Sequence, residues 1–229
     1  HTANLAGAPF VDEAPIGYVP ASNLTSGAGG IGATYTDADW ARAIRHGVAA
    51  DGRTMVTMPS DHYAHYSDED LAALITYMKS VPPVDNDLGA RELLFPGTII
   101  FGVFANSSWP VNIIDHPNVG REAPAAGPTA EYGQYLVSIA SCQSCHAENL
   151  AGNYGQLDTP QGPNLTAGGN LGQWSFDEFA TAMRSGSNPD GRQLDEIMPW
   201  ANYAAMTEDE LQALWTYLIS LEPLPNNTP

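Results

Sequence analysis

Cysteine, lysine and long apolar stretches are what this chain of 229 residues has least of. Two cysteines allow one disulfide at most, which excludes a disulfide-stapled scaffold. Lysine occurs once, at Lys79, and 8 basic residues face 26 acidic ones, a formal net charge of −18. Phosphate backbones are bound by basic surface, so nucleic acid is excluded as a partner. A protein partner would meet acidic surface or an apolar patch. No apolar run reaches the ~18 residues of a membrane span, so membrane association would come through upstream residues or through a partner. No signal peptide is visible, and His1 reads as a processed or truncated start. Glycine (22) and proline (18) are plentiful and point to many loops between short elements.

Both cysteines fall in one short stretch, Cys142-Gln143-Ser144-Cys145-His146. C-x-x-C-H is the attachment pattern of c-type haem: the thiols form thioethers with the haem vinyl groups, and the adjacent imidazole reaches the iron. A disulfide, a thioredoxin-like redox pair or half of a zinc site are the competing readings. A redox pair needs no histidine and belongs in a βαβ context that is missing here. A zinc site needs two further ligands nearby, and no other cysteine exists. With both thiols assigned to haem, no structural disulfide is expected. Haem is attached outside the cytoplasm in bacteria, so a periplasmic or other extracytoplasmic location follows, with membrane association open.

The chain repeats itself. His1-Thr2-Ala3-Asn4-Leu5-Ala6-Gly7 reads almost as His146-Ala147-Glu148-Asn149-Leu150-Ala151-Gly152. Asn23-Leu24-Thr25 returns as Asn164-Leu165-Thr166, Asp51-Gly52-Arg53 as Asp190-Gly191-Arg192, and Met58-Pro59 as Met198-Pro199. The order is kept throughout, which indicates a duplicated domain. His1 then occupies the place of His146, and a first C-x-x-C is expected just upstream of it. The competing reading is a degenerate first domain that has lost its haem.

Six-coordinate haem needs a second axial ligand. Met198 is the choice for the second domain and Met58 for the first, because the repeat preserves each together with its proline; a thioether ligand also raises the potential. Met183 and Met206 read as core filler. His62 and His65 are rival ligands near Met58, but their counterparts are Asn202 and Ala205. A ligating imidazole donates its other N–H to a carbonyl. Pro163 is the candidate acceptor for His146, and Ser22 takes that position in the first half. Arg53 and Arg192, with Arg45 and Arg184, could pair with haem propionates.

Helical spacing and caps organise each half. Thr36 with Asp39 opens a helix carrying Trp40, Ala43 and Ile44 and ending near Gly47; Ser175 with Glu178 opens its twin, ending at Gly186. Ser67 and Thr207 start a second pair with apolar stripes. Tyr132, Tyr135, Leu136 and Ile139 predict a helix whose last turns carry Cys142 and Cys145. The expected fold is all-α: two tandem class I-like cytochrome c domains, 1–81 and 129–229, joined by a long irregular connector, 82–128.

Gly133-x-Tyr135-Leu136 before C-x-x-C-H, then Asn-Leu-Ala-Gly, Asn-Leu-Thr, Asp-Gly-Arg and Met-Pro-x-x-x-Tyr, with Tyr63 and Tyr203, resemble the di-haem cytochrome c subunits of bacterial membrane-associated alcohol and related dehydrogenases. The resemblance implies an all-α protein with two covalently attached haems c. It implies electron transfer between a redox protein donor and acceptor, such as a membrane-bound dehydrogenase or oxidase complex, and no catalytic residue of the chain's own. Tyr63 and Tyr203 enter the haem surroundings on this likeness. A di-haem peroxidase is the enzymatic alternative, against which Met58 and Met198 argue by closing the iron.

Overall fold

Two stretches of chain, His1–Glu122 and Ala123–Pro229, each fold on themselves. The computed structural model describes residues 1–55, 58–104, 109–120, 122–153 and 161–227.

The first unit opens with an antiparallel hairpin. Strands β1 (Ala8–Glu13) and β2 (Gly17–Ala21) pair Val11 with Val19 and Asp12 with Tyr18. β-Branched and aromatic residues fit this pleated, half-buried surface. Helix α1 (Asp37–His46) follows, its N-terminal N–H groups satisfied by the reciprocal Thr36–Asp39 capping box and its end closed by Gly47 at φ 65°. Trp40, Ala43 and Ile44 face inward. The four-residue α2 (Ser60–Tyr63) and the longer α3 (Asp68–Ser80) complete the helical part. Trp40, Ile44, Leu71, Ile75 and Met78 form the core, with Leu5, Leu24, Met58 and Tyr63 packed against it.

Much of the stretch read as an irregular connector is built onto this unit. Strand β3 (Glu92–Leu93) adds to β2, giving the order β1-β2-β3. Helix α4 (Gly97–Ile99) runs into a π turn (Ile100–Phe104), and Gly97 presses its bare Cα against the Ile16 carbonyl. Helix α5 (Pro110–Ile113) packs on α2, and a 3-10 turn spans His116–Asn118. The protein is therefore helix-rich rather than all-helical. The small sheet escaped a reading based on helical caps and stripes, because its strands are short and interrupted by Pro9 and Pro20.

In the second unit, α6 (Ala130–Ile139) crosses α10 (Glu208–Ser220). The crossing is close because Gly133 lies directly over the Ala213 carbonyl, where a Cβ would collide. Helix α6 does not continue through the cysteines, as the spacing predicts. Ser141 takes φ 61°, which interrupts the helix, and a separate short helix α7 (Gln143–His146) carries the motif. Helices α8 (Phe176–Ser185) and α9 (Trp200–Tyr203) complete the unit. Leu136, Val137, Leu150, Phe179, Leu211 and Leu218 are among the core residues. Full burial of one such leucine is worth about 1.5–3 kcal/mol. Among the described residues, no helix is long and apolar enough to cross a membrane.

Candidate functional site

Helix α7 makes one turn, and its hydrogen bonds set the motif's geometry. The Cys145 N–H donates to Cys142 O at 3.3 Å and the His146 N–H to the same oxygen at 3.0 Å. Cys142 and Cys145 are not joined in a disulfide. Burial pushes the Cys142 thiol up to about 12 and moves Cys145 in the same direction. Neutral thiols of this kind suit neither a redox nucleophile nor a thiolate metal ligand. Nor is there, among the described residues, a group of three or more His, Cys, Asp or Glu able to hold a metal ion.

His146 is buried, at 5% exposure. Its Nδ1 lies 2.7 Å from Pro163 O. A carbonyl only accepts, so Nδ1 carries the proton and Nε2 keeps its lone pair. Burial lowers the imidazole pKa, outweighing the upward pull of the Pro163 hydrogen bond, and favours the neutral, ligating form. Gly162 leaves the space that this ring needs: a Cβ there would collide with Cys145 O and stand 2.7 Å from His146 Nδ1. Thioether-forming thiols beside a neutral, oriented imidazole fit covalent haem with an axial histidine.

The Pro163 carbonyl is itself held. Asn164 Nδ2 donates to Leu224 O at 2.8 Å. Its Oδ1 accepts from Thr166 N at 2.8 Å and from Thr166 Oγ1 at 2.7 Å. Thr166 Oγ1 in turn accepts from Leu224 N at 3.1 Å. This clamp pins the loop to the segment after α10. Sequence reasoning used Asn-Leu-Thr only as a repeat marker and missed the clamp, although recurrence of two short polar residues around a leucine was the available signal. Leu150, at φ 57°, was also missed. Its left-handed turn is fixed by bonds from its N–H to Ala147 O and from Leu165 N–H to its own carbonyl.

Met198 is half-buried in the loop before α9, and its carbonyl accepts from Trp200 N at 2.7 Å. Tyr203, on α9, donates its hydroxyl to Ala140 O at 2.9 Å, fastening the Met198 side of the unit to the chain just before Cys142. Arg192 stays exposed. Met183 and Met206 pack against the core.

In the first unit, His1 Nδ1 lies 2.8 Å from Ser22 O. Asn23 and Thr25 repeat the clamp: Asn23 Nδ2 donates to Val84 O at 2.8 Å, and Thr25 Oγ1 accepts from Val84 N at 3.0 Å. Met58 is half-buried and packs against the core, as does Tyr63, whose hydroxyl pKa is raised by burial and then by Asp61. Arg53 is exposed and bonds Asp51, Arg45 pairs with Asp68, and Arg184 with Glu208. His62 is half-buried on α2 and His65 is exposed.

Residues 130–222 match the sequence model of the family described as Cytochrome c. The chain is 29% identical to the cytochrome c subunit of the quinone alcohol dehydrogenase of Gluconacetobacter polyoxogenes, over 93% of this chain and 50% of that one. It is 30% identical to the gluconate 2-dehydrogenase cytochrome c subunit of Pantoea cypripedii, over 90% of this chain and 52% of that one. Likeness to a diheme cytochrome c-type protein of Cereibacter sphaeroides is 28%, over 82% and 66%. The chain spans about half the length of the first two relatives. The second unit carries a cytochrome c domain, and such a domain binds haem c covalently.

Proposed function

We propose that this chain is an extracytoplasmic electron-transfer protein with two haems c, working as the cytochrome subunit of a dehydrogenase complex. Its domains are 1–81 and 129–229, products of a duplication, with 82–128 between them. The observation that carries the reading is the motif on α7: two neutral thiols and a buried histidine with Nδ1 committed to Pro163 O and Nε2 left open. Cys142 and Cys145 would hold the group, His146 and Met198 would bind its iron, and Arg192 and Tyr203 would lie near it. When bound, haem supplies a one-electron couple at iron.

The chain's own residues fix geometry and exclude water. Pro163 O orients His146, the Asn164–Thr166 clamp holds that carbonyl, and Tyr203 ties the methionine side to Ala140. No acid or base of the protein is required, in keeping with relatives named as cytochrome subunits.

Local likenesses support a second centre at His1 and Met58, with Tyr63 and Arg53 beside it. The His1–Ser22 contact matches His146–Pro163, Asn23 and Thr25 match Asn164 and Thr166, and Leu5, at φ 60°, matches Leu150. A further support is a difference. Ala213 on α10 is fully buried under Gly133, whereas on α3 the corresponding Ala73 is exposed and Tyr77 is 61% exposed. That bare face suits a helix like α6.

The test is the haem content of the full-length protein isolated from its native membrane or periplasmic fraction. Two haem-bearing peptides are expected, one ending at His1 and one containing Cys142–His146; the second without the first would leave the single-haem reading with a degenerate first domain. Met198→Ala should abolish the methionine band near about 695 nm for one haem and leave that of the other. Retention of the whole band would remove Met198 as a ligand.

A further inference from the structure

The two units cover the ends of their matching helices, α1 and α8, in different ways. Helix α8 ends at Gly186 under the indole of Trp200, whose Cδ2 would lie 2.7 Å from a Cβ at that glycine. Helix α1 ends at Gly47, but Ser60 stands where Trp200 stands in the second unit, and it is too small to cover the same area. Pro110 from the connector supplies the cover, 3.7 Å from the corresponding Cβ position.

The connector is fastened there through an imidazole pair. His46 Nδ1 lies 2.8 Å from His116 Nδ1, with ring centroids 5.0 Å apart. His116 Nε2 lies 2.9 Å from Val111 O, which only accepts, so Nε2 carries the proton and neutral His116 offers its Nδ1 lone pair. His46 therefore donates. Farther along, Gly120 (φ 76°) rests on Arg45 and Asp68, which pair at 2.5 Å.

We propose that residues 109–120 form an acid-released strap over the end of α1 and helix α2, fastened near neutral pH by the hydrogen bond between His46 and His116. A proton on His116 Nδ1 sets two N–H groups against each other and breaks the bond. A proton on His46 places a half-buried cation near Arg45. Burial first, then His116 and Arg45, hold the His46 pKa below the ordinary 6.5. The folded strap thus binds fewer protons than the released one between the lowered value and 6.5, and its stability falls as pH falls through that window. The other charged groups on the elements around the pair are largely engaged: Arg42 with Asp39, Arg45 with Asp68, Asp61 with His62, and Asp115 with Asn118.

The strap bears on Met58 through α2. Helix α5 packs on α2, the Ser60 hydroxyl donates to Ala43 O at 3.0 Å, and Ser60 N–H donates to Met58 O at 2.8 Å. Release would loosen the loop that carries the first methionine. That consequence rests on the two-centre reading; the strap does not.

Hydrogen exchange of the full-length holoprotein, corrected for intrinsic rates, tests the strap between about pH 7.5 and about pH 5. Protection of residues 109–120 should drop toward acid, by the factor that the lowered His46 pKa delivers. In His46→Phe, which keeps a ring but removes the titrating group, the drop should vanish. Constant protection in the wild type, or an unchanged drop in the variant, overturns the proposal. If the variant does not fold, imidazole nitrogen NMR of the reduced wild-type protein decides. Titration of His46 below the ordinary 6.5 supports the strap, and its titration at or above that value overturns the proposal. Haem content of the same sample separates the two readings, since a single-haem protein with an acid-labile strap removes only the second centre.

Discussion

Pro163 can present its carbonyl to His146 because Asn164 next to it is tied down at both ends of its amide. Asn164 is 3% exposed and Thr166 is fully buried, so each of their hydrogen bonds is made away from water. Asn164→Ala would strand the Thr166 N–H and leave the Thr166 O–H and the Leu224 carbonyl only their long 3.4 Å contact with each other. Each orphaned group costs about 1–3 kcal/mol, and partial rescue by Asn226 or water leaves an expected loss of about 3 kcal/mol in chemical denaturation. Asn149→Ala, which gives up exposed bonds with Asn227 and one from the Ala151 N–H, should cost less, about 1 kcal/mol. Equal losses for the two variants would mean that the clamp is not what holds the loop. The contrast also marks what a sequence can reveal at this scale. The thiols and His146 stand out because each has a distinct chemistry at a short spacing, and Met58 and Met198 because the repeat keeps each with its proline. Asn164 reaches a carbonyl 60 residues away, and nothing local announces it.

Elements were readable wherever their ends are chemically marked. Thr36, Ser175 and Thr207 accept from the N3 backbone, and Asp39, Glu178 and Glu210 return the bond. The hairpin and the Ser141 break were not readable, because a short proline-interrupted strand and one left-handed serine leave no periodic signature. The caps carry a prediction of their own. Hydrogen bonds from the backbone and hydroxyl of Ser175 hold the Glu178 carboxyl below its ordinary 4.5, and those from Thr36 do the same for Asp39. A depressed carboxylate contributes stability that is complete above the unfolded value and lost as pH falls through the folded one. Ser175→Ala removes the cap and should lower the melting temperature near neutral pH. Glu178→Gln should lower the melting temperature near neutral pH, with the gap to wild type closing as pH falls below about 4. A gap that persists in acid would assign the loss to packing instead of the ionised cap.

For the chain as a whole, formal charge is the property that composition states most directly. A net −18 with a single lysine surrounds any exposed redox centre with negative potential, and folding only decides where that field is strongest. Two small probes of opposite sign can read it. Reduction by hexaammineruthenium(II), a cation, should be fast at low salt and slow by about tenfold as the Debye length shrinks from about 30 Å to about 8 Å. Reduction of the same protein by ferrocyanide, or its oxidation by ferricyanide, should respond in the opposite direction, since salt relieves the repulsion of an anion. A physiological partner that docks through basic groups would follow the first probe; one that docks on the exposed apolar residues Phe95, Ile99, Ile100 and Val103 would show little salt dependence. Identical salt profiles for the cation and the anion would mean that the acidic residues lie too far from the electron-transfer edge to matter, and the partner would then have to be sought by shape and apolar contact alone.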